Sequence, residues 1–309
     1  MDKILISGAS GFVGRNLISS IRSTMNQYNV SGVSRVASKD SNITYSNIDV
    51  EDFNDISVFI HLAAMASDVK SLSNREEYFK VNTDLTKMLF DLFLKSTCDT
   101  FVFMSSVKAV RDTFSGVLDE SISPQPIGVY GESKLLAEEY ILSKKIPLGK
   151  RVFILRPTMI HGTGNKGNLN FLVKLIRHGV PYPFGKYNTK KSFLSIDNLN
   201  FIIKEIILDK RIAGGVYNIC DSEPLNMNEV ITLIADSIDR NSRILNIPKF
   251  LISAIKYMGD KLKLPFNSTT VQKLTSTYIV SNKKIINVIG KELPYTSRQG
   301  LIKTLTSLI

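Results

Sequence analysis

Short apolar runs separated by longer mixed segments set the plan of the first half of this chain. Lys3-Ile4-Leu5-Ile6-Ser7 is almost continuously hydrophobic and reads as a strand buried on both faces. Asn29–Arg35, Ile60-His61-Leu62 and Phe101-Val102-Phe103-Met104 repeat the theme, with helix-length segments between them. Such alternation predicts right-handed βαβ units, and so a parallel sheet with helices on both faces. Gly215-Val216-Tyr217-Asn218-Ile219-Cys220 reads as a strand that returns to this sheet late in the chain. Ligands of such sheets lie outside the carboxyl ends of the strands.

The first strand runs straight into Gly8-Ala9-Ser10-Gly11-Phe12-Val13-Gly14. Gly8 permits a tight turn, Gly11 lets the backbone approach a pyrophosphate, and Gly14 allows close helix–strand packing, with the phosphates on the helix N-terminus. Ser10, Phe12 and Val13 complete the stretch expected to border the cofactor, Phe12 also packing beside the turn. The second strand ends at Ser34-Arg35, where a ribose-reading residue is expected. No carboxylate stands there to accept from a 2′-hydroxyl, and Arg35 can pair with a 2′-phosphate, so NADP(H) is favoured, with NAD(H) the alternative.

Tyr130-Gly-Glu-Ser-Lys134 places a phenol and an ammonium one helical turn apart, on one face. A nearby cation favours the phenolate and makes the tyrosine a usable proton donor and acceptor. Together with Ile60-His61-Leu62-Ala63-Ala64, Val81-Asn82-Thr83, Met104-Ser105-Ser106 and Leu155-Arg156-Pro157, this gives a series whose order resembles the extended short-chain dehydrogenases/reductases. These form the NAD-dependent epimerase/dehydratase group that acts on nucleotide sugars, and the resemblance covers nearly the whole chain. It implies a Rossmann-type doubly wound parallel sheet with a smaller, discontinuous C-terminal substrate lobe. It also implies that Tyr130 transfers the proton, that Lys134 binds the cofactor ribose and tunes Tyr130, and that Ser106 holds the reacting sugar oxygen. Asp49, with Val50, matches the acidic position beside the adenine. Leu62, Ala63, Ala64, Ser105 and Pro157 match the lining of the cofactor groove, and Asn82 matches a structural support. Val107, Lys108, Asn168 and Lys191 fall at substrate-facing positions, Lys191 standing where the family carries a diphosphate-binding arginine.

Val107-Lys108 follows Ser106 where the sugar 4,6-dehydratases of the family carry an Asp-Glu pair, so elimination of water lacks its acid and base. Segments 164–168, 179–185 and 191–199 look most like bacterial surface-polysaccharide members. Joined with the NADP signal at Arg35, they point to reduction of a UDP-4-keto-6-deoxy-N-acetylhexosamine. A UDP-sugar 4-epimerase that retains NAD is the alternative, and a non-enzymatic NADP-binding sensor or scaffold is a reading from another class.

At 309 residues, 43% hydrophobic and 22% charged, the chain can bury a full core. The expected division is a dinucleotide-binding domain over 1–163, joined by 191–222, and a nucleotide-sugar lobe from 164–190 and 223–309. The net charge of +11 is scattered without interleaved aromatics, which argues against nucleic acid and suits an anionic sugar nucleotide. Lys249–Gly259 is apolar with basic edges: a helix of the substrate lobe that is buried or faces a second copy, or one lying on a membrane surface, but too short to span it. Cys98 and Cys220 read as reduced core residues of a cytoplasmic protein. His61, His161 and His178 lack metal-ligand spacing, and no metal is expected. The resemblance implies a homodimer through the helices at Asp84–Leu94 and Lys134–Ser143.

Overall fold

Ile4, Leu5 and Ile6 of the first strand, β1 (Asp2–Ser7), are all fully buried, as a strand covered on both faces requires. The structure is a computed structural model and describes residues 2–35, 43–66, 75–165, 167–262 and 268–308. After β1 come α1 (Phe12–Thr24), β2 (Tyr28–Ser34), β3 (Ile43–Thr44), α2 (Glu51–Asn54), β4 (Ile56–His61), α3 (Arg75–Phe79), a π turn over Lys80–Asp84, α4 (Leu85–Lys95) and β5 (Thr100–Met104). A 3-10 turn at Val107–Ala109 leads to β6 (Val117–Leu118), α5 (Val129–Ser143), β7 (Arg151–Pro157), β8 (Met159–His161), α6 (Asn168–Arg177), β9 (Lys190–Lys191), β10 (Phe193–Ser195), α7 (Ile196–Leu208) and β11 (Gly215–Ile219). The chain closes with β12 (Leu225–Asn226), α8 (Met227–Ser237), α9 (Lys249–Leu262), α10 (Ser268–Thr275), β13 (Ile279–Val280), α11 (Lys283–Ile289) and α12 (Ser297–Thr306).

Seven strands form one parallel sheet in the order β11-β7-β5-β4-β1-β2-β3. Side chains alternate across it. Ile4, Ile6, Val58, Ile60 and Val102 pack under α1 and α7 through Leu17, Ile21, Leu199 and Ile203. Leu5, Phe59, Phe101 and Phe103 pack under α4 and α5 through Phe90, Phe93, Ala137 and Ile141. The returning strand expected at 215–220 is β11, which pairs with β7 in parallel. From β1 the chain first builds outward to β2 and β3, then crosses back to β4, so the strand order reverses between β1 and β4. The crevice at their carboxyl ends is the natural ligand site of a doubly wound sheet.

Two two-stranded ladders, β8 with β10 and β6 with β13, accompany the sheet, and a third, β9 with β12, forms the smaller part of the fold together with helices α6, α8, α9, α10 and α12. Its own core gathers Leu169, Tyr182, Phe184, Val230, Ile234, Ile252 and Val271. Among the described residues no helix is long and apolar enough to cross a membrane.

Candidate functional site

The glycine turn after β1 is closed by the Gly11 amide donating to the Gly8 carbonyl at 2.9 Å. Gly8 sits at φ +72°, and a Cβ there would lie 2.7 Å from the Ala63 amide nitrogen. A Cβ on Gly14 would come within 2.4 Å of the Gly8 oxygen. Both positions therefore exclude a side chain, and the ends of β1 and β4 close up on the start of α1. Gly11 precedes α1 with no side chain capping the helix, which leaves first-turn N–H groups for an anion. This cradle fits the diphosphate of a dinucleotide. Ser10 is exposed beside it, while Phe12 and Val13 are half-buried against the core. Tyr45, which the sequence did not single out, accepts from the Gly8 amide at 3.0 Å and donates to the Val33 carbonyl at 3.2 Å.

Ser34 ends β2 almost buried, and Arg35 beside it is exposed. Residues 36–42, which follow, lie outside the described residues. The Asp49 carboxylate accepts from the Glu51 and Asp52 amides at 2.8 and 3.2 Å, so it caps α2, with half-buried Val50 between. At the end of β4, the Leu62 amide donates to the Ser7 carbonyl at 3.1 Å and the Ala63 amide to Ser7 Oγ at 3.4 Å. Leu62 and Ala63 are half-buried and Ala64 is exposed, bordering the crevice. His61 is fully buried between Ser7 Oγ (2.5 Å) and Thr86 Oγ1 (2.9 Å). Burial, with the Lys134 charge adding to it, holds its pKa well below the usual histidine value. No group of three or more potential metal ligands occurs among the described residues.

Tyr130 and Lys134 lie on α5, and Gly131 decides where that helix sits. A Cβ on Gly131 would be 2.4 Å from the Lys108 carbonyl oxygen, so the bare glycine lets α5 rest on the turn that carries Ser106. Ser106 opens that turn, its Oγ accepting from the Lys108 amide at 3.2 Å. Tyr130 is half-buried, with Lys108 Nζ 5.9 Å from its ring centroid. Lys134 is 1% exposed and donates to the Met104 carbonyl at 2.8 Å. Burial lowers its pKa to about 7, against the opposing pull of Glu138.

Glu138, one turn beyond Lys134 and fully buried, accepts from Arg156 Nε at 3.0 and 3.1 Å and from Ser105 Oγ. This brace ties the middle of α5 to β5 and β7. Arg156 is thus consumed internally, leaving buried Pro157 at the strand end. Asn82 works similarly from the π turn: its amide nitrogen donates to Ser133 Oγ at 2.9 Å and to the Met65 carbonyl at 3.1 Å, and its oxygen accepts from the Met65 amide at 2.8 Å.

Of the residues expected at the substrate, Val107 is 4% exposed and packs with Val110, Leu118 and Val280, so its side chain belongs to the core, and its carbonyl accepts from the Val110 and Arg111 amides at 3.0 and 3.1 Å. Asn168 opens α6, and its side chain lies outside what is described. Lys191 in β9 is half-buried, and burial lowers its pKa to about 8. Its strand bridges to Tyr278, whose hydroxyl donates to the Arg111 carbonyl at 2.7 Å, so β9 and the Ser106 turn are joined through one tyrosine. The structure thus brings Ser106, Lys108, Tyr130 and Lys134 together where α5 rests on the Ser106 turn, and links Lys191 to that turn through Tyr278, while Arg35 and Asp49 belong to the β2 edge. Gly131, Glu138 and Tyr278 are the members that sequence reasoning missed.

Comparison with known proteins bears on the fold and the family. A UDP-glucose 4-epimerase from Vibrio cholerae is 29% identical, covering 97% of this chain and 94% of its own. An N-acetyl-alpha-D-glucosaminyl-diphospho-ditrans,octacis-undecaprenol 4-epimerase from Escherichia coli O157:H7 is also 29% identical, over 98% and 94%. Among solved structures, the UDP-glucuronic acid 4-epimerase from Bacillus cereus with UDP-glucuronic acid and NAD superposes with a TM-score of 0.76 at 20% identity, covering 99% of this chain and 98% of that one. MoeE5 with UDP-glucose and NAD matches equally, with a TM-score of 0.76, 20% identity, and the same coverage. These structures hold NAD, which overturns the expectation that NADP(H) is favoured. The physical reason is visible at Arg35: one exposed guanidinium at a strand end is a solvated charge, and its position in the sequence alone did not make it a phosphate site. A model described as the NAD dependent epimerase/dehydratase family matches residues 4–220, and the chain is an enzyme of that family.

Proposed function

We propose that the protein is an NAD-dependent UDP-sugar 4-epimerase. The observation that carries this reading is the union of Ser106, Tyr130 and Lys134 at the crevice with the absence of a carboxylate pair at Val107-Lys108. The two curated relatives described above, both 4-epimerases, support it. The reductase reading leaned in part on NADP at Arg35 and loses that part with the correction.

The glycine cradle, Leu62–Ala64 and Lys134 would hold NAD, which when bound supplies a hydride acceptor that can return the hydride to either face of the sugar. The rest falls to the chain's own groups. Tyr130, as phenolate, takes the proton of the 4-hydroxyl and later gives it back to the same oxygen. Lys134, when protonated, places a positive charge one turn away and favours that phenolate. Ser106 keeps its own O–H to donate to the reacting oxygen, since its Oγ already accepts from the Lys108 amide. Lys191 would meet the diphosphate as a point charge, its partial burial strengthening the attraction. We assign residues 1–163 and 191–222 to the cofactor domain, and 164–190 and 223–309 to the substrate lobe. A homodimer would use α4 and α5, where Met88, Leu136 and Leu142 are exposed. Two buried free thiols favour a cytoplasmic location.

A second reading, a diphospholipid-linked N-acetylhexosamine as substrate, is favoured by one feature, the exposed apolar face of α9. Tyr130→Phe tests the site: turnover of UDP-sugars should fall by at least about 10²-fold while NAD stays bound. Retained turnover would overturn the assignment, and NAD binding without turnover in the wild type would revive the sensor reading.

A further inference from the structure

Among its described side chains, the helix α9 (Lys249–Leu262) is fastened to the protein along one edge. Ile252 is 1% exposed and joins the core of the smaller lobe with Val271 of α10, and Gly259 is buried on the same side. Across the helix, Phe250 is 71% exposed, Leu251 44%, Tyr257 70% and Leu262 58%. At 3.6 residues per turn these four fall within an arc of about 140°, on the side away from Ile252 and Gly259. Single exposed apolar residues are ordinary, but four on one arc, two of them large aromatic side chains mostly in water, form a patch that marks a contact surface. Of the three expectations for this segment, a helix that is buried, that faces a second copy or that lies on a membrane surface, the exposed arc removes the first.

Charge selects the partner. Lys261 lies within the apolar arc and is exposed, whereas Lys256 is half-buried on the opposite side of the helix, one turn beyond Ile252. Asp260 is the only acid of the helix, and it is engaged: it accepts from the Ser268 amide at 2.9 Å and from the Ser268 hydroxyl, so its carboxylate caps α10. A second copy of the chain would bring another Lys261 to this face, and the whole chain carries +11. An anionic lipid surface meets both the apolar arc and the positive charge.

We propose that α9 is a membrane-surface helix, seated in the headgroup region of an anionic bilayer through Phe250, Leu251, Tyr257 and Leu262, with Lys261 toward lipid phosphates. At about 1.5 Å per residue its length is well short of the roughly 30 Å hydrocarbon core, so the helix lies on the bilayer and does not cross it. The docking holds whichever carrier bears the sugar.

The test is co-sedimentation of the full chain with phosphatidylglycerol vesicles and, separately, phosphatidylcholine vesicles. Binding is expected to phosphatidylglycerol, weakened by salt. Phe250→Ser with Tyr257→Ser should lower it by at least about tenfold. Lys261→Gln should lower it roughly fivefold, whereas Lys256→Gln, on the opposite side of the helix, should leave it unchanged. All four positions are outside the catalytic crevice, so turnover of a soluble UDP-sugar should be unchanged. The proposal is overturned if the wild type stays in the supernatant, if the aromatic double variant binds as well as the wild type, or if neutral vesicles bind equally. It is also overturned if sedimentation velocity shows that the double variant turns a dimer into a monomer, since the face would then be a protein interface.

Discussion

Gly131→Ala isolates the contact that sets the catalytic geometry. The new methyl would stand 2.4 Å from the Lys108 carbonyl oxygen and 2.9 Å from Pro126 Cβ, where ordinary contact begins at 3.4 Å. Neither neighbour is the far end of a flexible side chain, so α5 must lift from the Ser106 turn by about 1 Å. Overpacking of this kind costs about 1–3 kcal/mol, and the better helix propensity of alanine returns up to about 1. A net loss of about 1–2 kcal/mol is expected in urea unfolding. The larger effect falls on catalysis, because a displacement of about 1 Å between Tyr130 and the Ser106 hydroxyl lowers kcat by about 10²-fold. Gly128→Ala is the control: a Cβ there meets nothing within 4 Å, and the backbone is already extended, at φ −104° and ψ 152°. It should cost about 0.5–1 kcal/mol as a poorer N-cap and leave kcat within about twofold. If Gly131→Ala matched Gly128→Ala in both stability and kcat, the account of how α5 is seated would be wrong.

The brace behind the site gives a second prediction. Glu138→Gln leaves the Arg156 guanidinium, 5% exposed, without its counter-charge and should cost about 3–5 kcal/mol in urea unfolding, while adding Arg156→Met should restore much of it. Lys134 gives a pH signature. Its pKa is about 7 in the folded chain against about 10.4 when unfolded, so between these values the unfolded chain holds more protons. Stability from this residue therefore rises with pH through that window and is lost as pH falls toward 7, with a slope of up to about 1.4 kcal/mol per pH unit. Lys134→Met removes this dependence, so the wild-type stability minus that of the variant should climb between about pH 7.5 and 9. The buried Cys98 and Cys220 thiols act oppositely at higher pH, but equally in both proteins. A flat difference would refute the buried-lysine account.

What the sequence disclosed was local. The glycine turn lies within seven consecutive residues and is constrained by backbone sterics, so Gly8 and Gly14 could be read directly, as could the Tyr130–Lys134 face from helical spacing. Strand interiors were legible because a sheet covered on both faces demands unbroken apolar runs, although β2 begins and ends one residue earlier than expected. The supports of the site were not legible. Glu138 looks like a surface residue of an ordinary helix until β7 brings Arg156 against it. Tyr278 reaches the Ser106 turn only after the chain has folded through the smaller lobe. Arg35 failed for the opposite reason: its place at a strand end was read correctly, but the ligand expected there was not determined by that place.

The most direct test of the central claim is incubation of the purified protein with UDP-glucose and UDP-N-acetylglucosamine, without added cofactor, following both the sugar products and the nicotinamide absorbance. The account predicts interconversion of the C4 epimers toward equilibrium with no net accumulation of NADH. Product that appears only with stoichiometric oxidation or reduction of added cofactor would contradict it and make the protein a dehydrogenase or reductase.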